Sequence, residues 1–188
     1  VVFNTFYGAF EGFTLGLTLF DGDEARIAGT TLLGTTVGVF LPLYLTKDKP
    51  IYTSQSMTYN LASRWGIYNG LMLPNLFDDD PSSRGYTGSA SLLSLASLIA
   101  SIQFYPENRF TPGQVSALGS GLQFGIITGV TGLFLTNRLW DDTSDLAHGQ
   151  IMSSTLLISG NVGMFLAYYN RDIFDIDRRR VLWVDSGG

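Results

Sequence analysis

Two residues place a full charge inside otherwise apolar stretches, Glu11 and Arg64. A charge drawn into apolar surroundings is costly unless it is paired. The chemistry these two offer is therefore a buried ion pair, lining a polar path through a transporter or channel element. Glu11 stands three positions after Gly8, and Arg64 two before Gly66, the glycine that matches Gly8 in a later segment. At the helical rise this stagger is about 7.5 Å, within the combined reach of two long side chains. The competing expectation is that both face water or the edge of a helix bundle.

The remaining chemical inventory is thin. His148 is the sole histidine and follows Asp145 at the start of an apolar segment, where a capping contact accounts for it. With no second histidine and no cysteine, no metal-ligand set of familiar spacing can be drawn. The absence of cysteine also excludes disulfides and thiolate chemistry. The acidic groups Asp78-Asp79-Asp80 and Asp141, Asp142, Asp145 lack the central glycine and terminal glutamate of a calcium loop, and read as solvated turns. No glycine-rich stretch is followed by Lys-Ser or Lys-Thr, which removes a phosphate loop. A Ser-His-Asp set cannot be built on a histidine at a helix start. Asn4, Asn69, Gln123 and Asn161 lie within apolar segments. Interhelical hydrogen bonds worth about 1 kcal/mol each are expected there, with substrate lining as the sharper alternative. No metal, cofactor or enzymatic activity is expected.

An internal repeat organises the chain that must position these groups. Gln55, Gly66 and Gly70 align with Gln114, Gly125 and Gly129, each pair 59 positions apart, and an aromatic, Trp65 or Phe124, precedes the first glycine. The same signature opens the chain at Tyr7-Gly8 and Gly12, 58 positions before Gly66 and Gly70. A partial fourth copy starts near Asp177, at an offset of 66 from Thr111. The units run over about 1–46, 47–106 and 107–172, with a partial unit at 173–188. The expectation is one domain over 1–188, a fragment of a longer repeat protein; the sequence contains no basic-start signal peptide, so either a leader was removed or the chain is a fragment, and the repeat favours the fragment.

Each unit holds two apolar segments. The first-type segments are 1–20, 53–77 and 112–137; the second-type segments are 25–46, 85–105 and 146–169. Short connections rich in Asp, Pro and Gly separate them. Lengths mostly above 20 residues suit helices rather than strands of about 5–6. Thr111-Pro112-Gly113-Gln114 predicts a capping box, and Asp23, Asp145 and Asp177 are further candidate caps.

Small residues recur at four-residue steps: Gly8, Gly12 and Gly16; Ala62, Gly66 and Gly70; Gly121, Gly125 and Gly129. Four residues turn a helix by about 400°, so each set forms one stripe. A helical glycine is about 1 kcal/mol worse than alanine, which makes sense if another backbone packs against the stripe. The pattern resembles the generic glycine zipper, a packing device rather than a family.

The predicted fold is all-α: antiparallel helical hairpins repeating every 58–66 residues, packed through these stripes. The alternative is a transmembrane β-barrel, because Phe13-Thr-Leu-Gly-Leu-Thr-Leu19 alternates with period two.

Composition addresses location. The 188 residues are 45% hydrophobic and 14% charged, against about 25% charged in soluble domains, which favours a bilayer or a large oligomer. Net charge is -5 with no basic stripe, so nucleic acid is not an expected partner. Each connection from a first-type to a second-type segment carries three acidic residues against one basic, while the opposite connections are neutral or mildly basic. An up-down array would separate these ends, with the basic one cytoplasmic.

The expected function is a non-enzymatic, membrane-embedded structural or assembly protein. Its expected partners are the lipid bilayer and protein, including self-association through small-residue helix faces. A transporter element using Glu11 and Arg64 and a soluble helical-repeat binding module are the alternatives. A mean hydropathy of only +0.20 keeps the soluble array in view.

Overall fold

The protein's computed structural model describes residues 2–20, 22–47, 52–78, 80–104, 110–136 and 145–174. Among these residues the regular structure is helical, in six α-helices: α1 Val2–Phe20, α2 Glu24–Thr46, α3 Thr53–Met72, α4 Ser83–Phe104, α5 Pro112–Leu135 and α6 Asp145–Tyr169. Short 3-10 turns follow α3, at Pro74–Leu76, and α6, at Arg171–Phe174. The described residues contain no strand, so the barrel alternative is corrected.

The reason lies in how threonine behaves inside these helices. Thr14 Oγ1 donates to the Phe10 carbonyl at 2.9 Å, and Thr18 Oγ1 to the Thr14 carbonyl at 2.8 Å. Each hydroxyl bonds the preceding turn, so a β-branched polar residue needs no strand partner. The period-two pattern over 13–19 is therefore carried on a helix.

Local signals set the helix boundaries. Thr111 and Gln114 form the reciprocal capping box, with Pro112 in the first turn where its missing amide has no consequence. Asp23 caps α2 by accepting from the Arg26 amide at 3.1 Å and also pairs with the Arg26 side chain at 3.0 Å. Gly22 takes a φ of 86° in the turn between α1 and α2, a conformation that favours glycine. α3 stops at Met72 shortly before Pro74, which cannot continue the amide ladder.

The helices associate most extensively as α1 with α2, α3 with α4 and α5 with α6; smaller α1–α4 and α3–α5 contacts join them. Contacting residues run in opposite directions along each pair. Gly8 meets Gly38 and Gly16 meets Ile27; Gly66 meets Ser94 and Gly70 meets Ala90; Gly121 meets Gly163 and Gly129 meets Leu156. A small apolar cluster of Leu61, Val115 and Leu118, flanked by Met57, Phe110, Met164 and Ala167, fills the space between α3, α5 and α6.

Candidate functional site

The glycines of the four-residue stripes face a neighbouring helix at close range. A methyl group at Gly8 would stand 2.9 Å from Gly38 Cα, and one at Gly12 would stand 3.0 Å from Thr31 Cα. At Gly16 the nearest backbone atom would be Ile27 Cα, at 3.0 Å. Gly66 and Gly70 face Ser94 Cα and Ala90 Cα at 2.6 and 2.5 Å by the same measure. In the third pair, Gly121 faces the Gly163 carbonyl, a methyl group at Gly125 would stand 2.9 Å from Gly160 Cα, and one at Gly129 would stand 3.1 Å from Ser159 Cβ. The mating positions Gly34, Gly38, Ala90, Ser94, Gly160 and Gly163 were not among those singled out from the sequence. Gly34/Gly38 and Ala90/Ser94 do carry the same four-residue spacing.

Polar side chains link helices at the level of these contacts. Trp65 Nε1 donates to Asn161 Oδ1 at 2.7 Å, and Asn161 Nδ2 donates to Asn69 Oδ1 at 2.8 Å. This ties α3 to α6. Asn75 Nδ2 donates to Ser153 Oγ at 2.9 Å, while the Tyr86 hydroxyl donates to Asn75 Oδ1. Gln123, by contrast, is exposed. Asn161→Leu keeps the side-chain size but leaves the Trp65 N–H and Asn69 Oδ1 without Asn161. The expected loss is about 1–2 kcal/mol, read as a lower midpoint in a mixed-micelle unfolding titration. Gln123→Leu should stay within about 0.5 kcal/mol of wild type. Equal midpoints for the two variants would show that the Asn161 bonds add nothing.

A second polar group lies between α1, α3 and α4. The Tyr7 hydroxyl and Ser94 Oγ share a hydrogen bond of 2.8 Å, and Ser94 Oγ donates to the Ser63 carbonyl at 3.3 Å. Thr14 bonds Ser91, and Thr18 bonds Thr87 at 3.0 Å. Glu11 belongs to this interior: it is 7% exposed, and neither carboxylate oxygen has a hydrogen-bond partner.

Arg64 does not join Glu11. It is exposed, and the expected ion pair is absent. The cause is rotation rather than reach. Arg64 precedes Gly66 by two residues, about 200° around the helix, so it points away from the face that meets α4. Glu11 lies within about 60–100° of its own glycine stripe and turns inward.

The overall distribution of side chains is inverted relative to a water-soluble core. Among the described residues, the largest fully buried side chains are four serines, Ser63, Ser91, Ser94 and Ser153. Phe6, Leu32, Leu92 and Phe124 are 68–72% exposed, and Leu135 is 82% exposed. Among the described residues, three helical stretches are long and apolar enough to cross a membrane: Ser83–Gln103, Pro112–Leu135 and Gly149–Tyr169.

Among the described residues, no group of three or more His, Asp or Glu is placed to hold a metal ion. The His148 side chain, the acidic residues Asp79, Asp141 and Asp142, and nearly all of the fourth unit at 173–188 lie outside the described residues. Comparison with protein-family models, with curated proteins and with solved structures gives no match.

Proposed function

We propose that this chain is a non-enzymatic, membrane-embedded structural or assembly protein, built from three copies of one glycine-packed antiparallel hairpin. The observation that carries the reading is the interior: Ser63, Ser91, Ser94 and Ser153 are fully buried while many large apolar side chains, Phe6, Leu32, Leu92 and Phe124 among them, face out. Apolar surface left in water forgoes about 25 cal/mol per Å². Facing hydrocarbon it forgoes nothing, because lipid tails are as apolar as leucine. Association must then come from close packing and interhelical hydrogen bonds, both of which small residues and hydroxyls supply.

The repeat reading is supported by the common contact scheme of the three pairs. In each, glycines at four-residue steps on the first helix meet small residues on the second. The bilayer is the proposed partner, with self-association through small-residue faces as a further possibility for assembly. A soluble binding module would have to keep this apolar exterior in water. The transporter alternative loses the residue pair that motivated it, since Arg64 lies outside.

Membrane residence is tested by fractionating expressing cells. The chain should stay with membranes through alkaline carbonate washing and need detergent for extraction. Monodisperse protein recovered without detergent would overturn the reading.

Orientation follows from charge. Because the chain has no cysteine, single cysteines at Lys47 and Asp80 can be introduced without background. The basic connection should be cytoplasmic. A membrane-impermeant maleimide applied to intact cells should therefore label Asp80→Cys and spare Lys47→Cys. The reverse pattern would refute that orientation.

A further inference from the structure

We propose that Glu11 anchors a buried binding site for one monovalent metal cation of the sodium class, enclosed by α1, α3 and α4. The Glu11 carboxyl is 7% exposed, and both its oxygens lack hydrogen-bond partners. The one basic side chain within the first-type segments, Arg64, faces outward on α3 and does not reach it.

Hydroxyl oxygens of α1, α3 and α4 gather at this level of the interior. Tyr7, one turn earlier on the same face of α1, bonds through its hydroxyl to Ser94, which in turn reaches the Ser63 carbonyl. Thr14, three residues later, is 3% exposed and bonded to Ser91, which is 2% exposed. Ser63 and Ser94 are 0% exposed.

Most of the protons on these hydroxyls are already committed. Ser63 Oγ donates to the Tyr59 carbonyl at 2.9 Å, Ser94 Oγ to the Ser63 carbonyl at 3.3 Å, and Thr14 Oγ1 to the Phe10 carbonyl at 2.9 Å. Ser94 Oγ also shares a hydrogen bond of 2.8 Å with the Tyr7 hydroxyl. The Ser63, Ser94 and Thr14 protons thus point at backbone carbonyls rather than at the carboxylate.

A carboxylate among lone pairs in a low-dielectric interior is unfavourable by itself. A hard cation reverses the sign of every one of these interactions, because hard cations take oxygen ligands. The charge sets the valence. One carboxylate neutralises one positive charge, whereas a divalent ion would leave a net buried charge without compensation.

The test uses the full chain in detergent, with radioactive sodium at equilibrium and choline as the replacement cation. Saturable binding is expected at one ion per chain. An infrared difference spectrum between sodium and choline should show a carboxylate band that Glu11→Gln removes. Glu11→Gln should weaken binding by at least about tenfold, Ser94→Ala should weaken it less, and Arg64→Ala should leave it unchanged.

The absence of saturable binding to wild type, or sodium binding by Glu11→Gln equal to wild type, overturns the site. So does a protonated carboxyl band that is indifferent to sodium. If Glu11→Gln does not fold, the wild-type infrared comparison decides alone. The measurement needs the folded chain but no bilayer, so it succeeds or fails independently of the membrane reading.

Discussion

Gly125→Leu should abolish the association of α5 with α6 while leaving both helices intact. Even the first carbon added at Gly125 would meet the Ser159 carbonyl and lie 2.9 Å from Gly160 Cα. Both are backbone atoms, which cannot rotate aside as a flexible side chain can. Gly125→Ala alone should cost about 1–3 kcal/mol as overpacking, outweighing the gain of about 1 kcal/mol in helix propensity. Leucine adds a branched side chain in the same place, and the two helices must part.

Gly132 provides the control. A methyl group there would meet nothing within 4 Å, so Gly132→Ala should be neutral or stabilising by up to about 1 kcal/mol. The sign therefore inverts between two glycines of one helix. Far-UV circular dichroism should show near-wild-type helicity in Gly125→Leu. Energy transfer between labels on α5 and α6 should collapse, and mixed-micelle unfolding should rank the alanine variants. Equal stability of Gly125→Ala and Gly132→Ala would contradict the close backbone approach.

The adjacent residue yields the second large effect, and its sign depends on the solvent. Phe124 is 72% exposed near the middle of α5. In water, Phe124→Asp would break no contact of consequence, stay within about 0.5 kcal/mol, and improve solubility. In a bilayer, an aspartate at the centre of a spanning helix costs about 2.5–3.5 kcal/mol, and the phenylalanine contribution is lost as well. About 3 kcal/mol exceeds a hundredfold shift in an insertion equilibrium.

A glycosylation-mapping assay should show Phe124→Asp failing to integrate and Phe124→Leu behaving as wild type. Leu118, 5% exposed, is the position where aspartate should be damaging in either medium. Unimpaired integration of Phe124→Asp would mean that this face does not meet lipid.

The location of the helices was legible because their signals are local. The capping box at Thr111–Gln114 and the acidic turn around Asp23 act within a few residues, whereas the segment expected over 53–77 breaks at Met72, ahead of Pro74. The close-packing positions were half legible. A four-residue stripe such as Gly121, Gly125 and Gly129 announces that something will approach, but not what. The mates Gly160 and Gly163 lie on another helix, and one small-residue stripe fits many others equally well.

The polar interior was the least legible part. Tyr7, Glu11 and Thr14 share one face of α1 by spacing, and Ser91 and Ser94 share one face of α4. Serines among leucines look like ordinary dilution of an apolar segment until three helices converge on them. For Glu11 and Arg64, axial rise alone suggested a pair. The turn of about 100° per residue, applied from each glycine stripe, already separates them.

Sequence alone therefore favoured helices over a barrel, placed most helix boundaries within a few residues, and marked one face of each first-type helix as open to a close neighbour. All of these follow from the helical period and from hydrogen bonds made within one or two turns. Tertiary structure alone decided which helix supplies that neighbour, that Glu11 is enclosed while Arg64 is not, and that serine lies inside while phenylalanine lies outside. Those outcomes depend on several faces fitting at once, and no single helix carries that information.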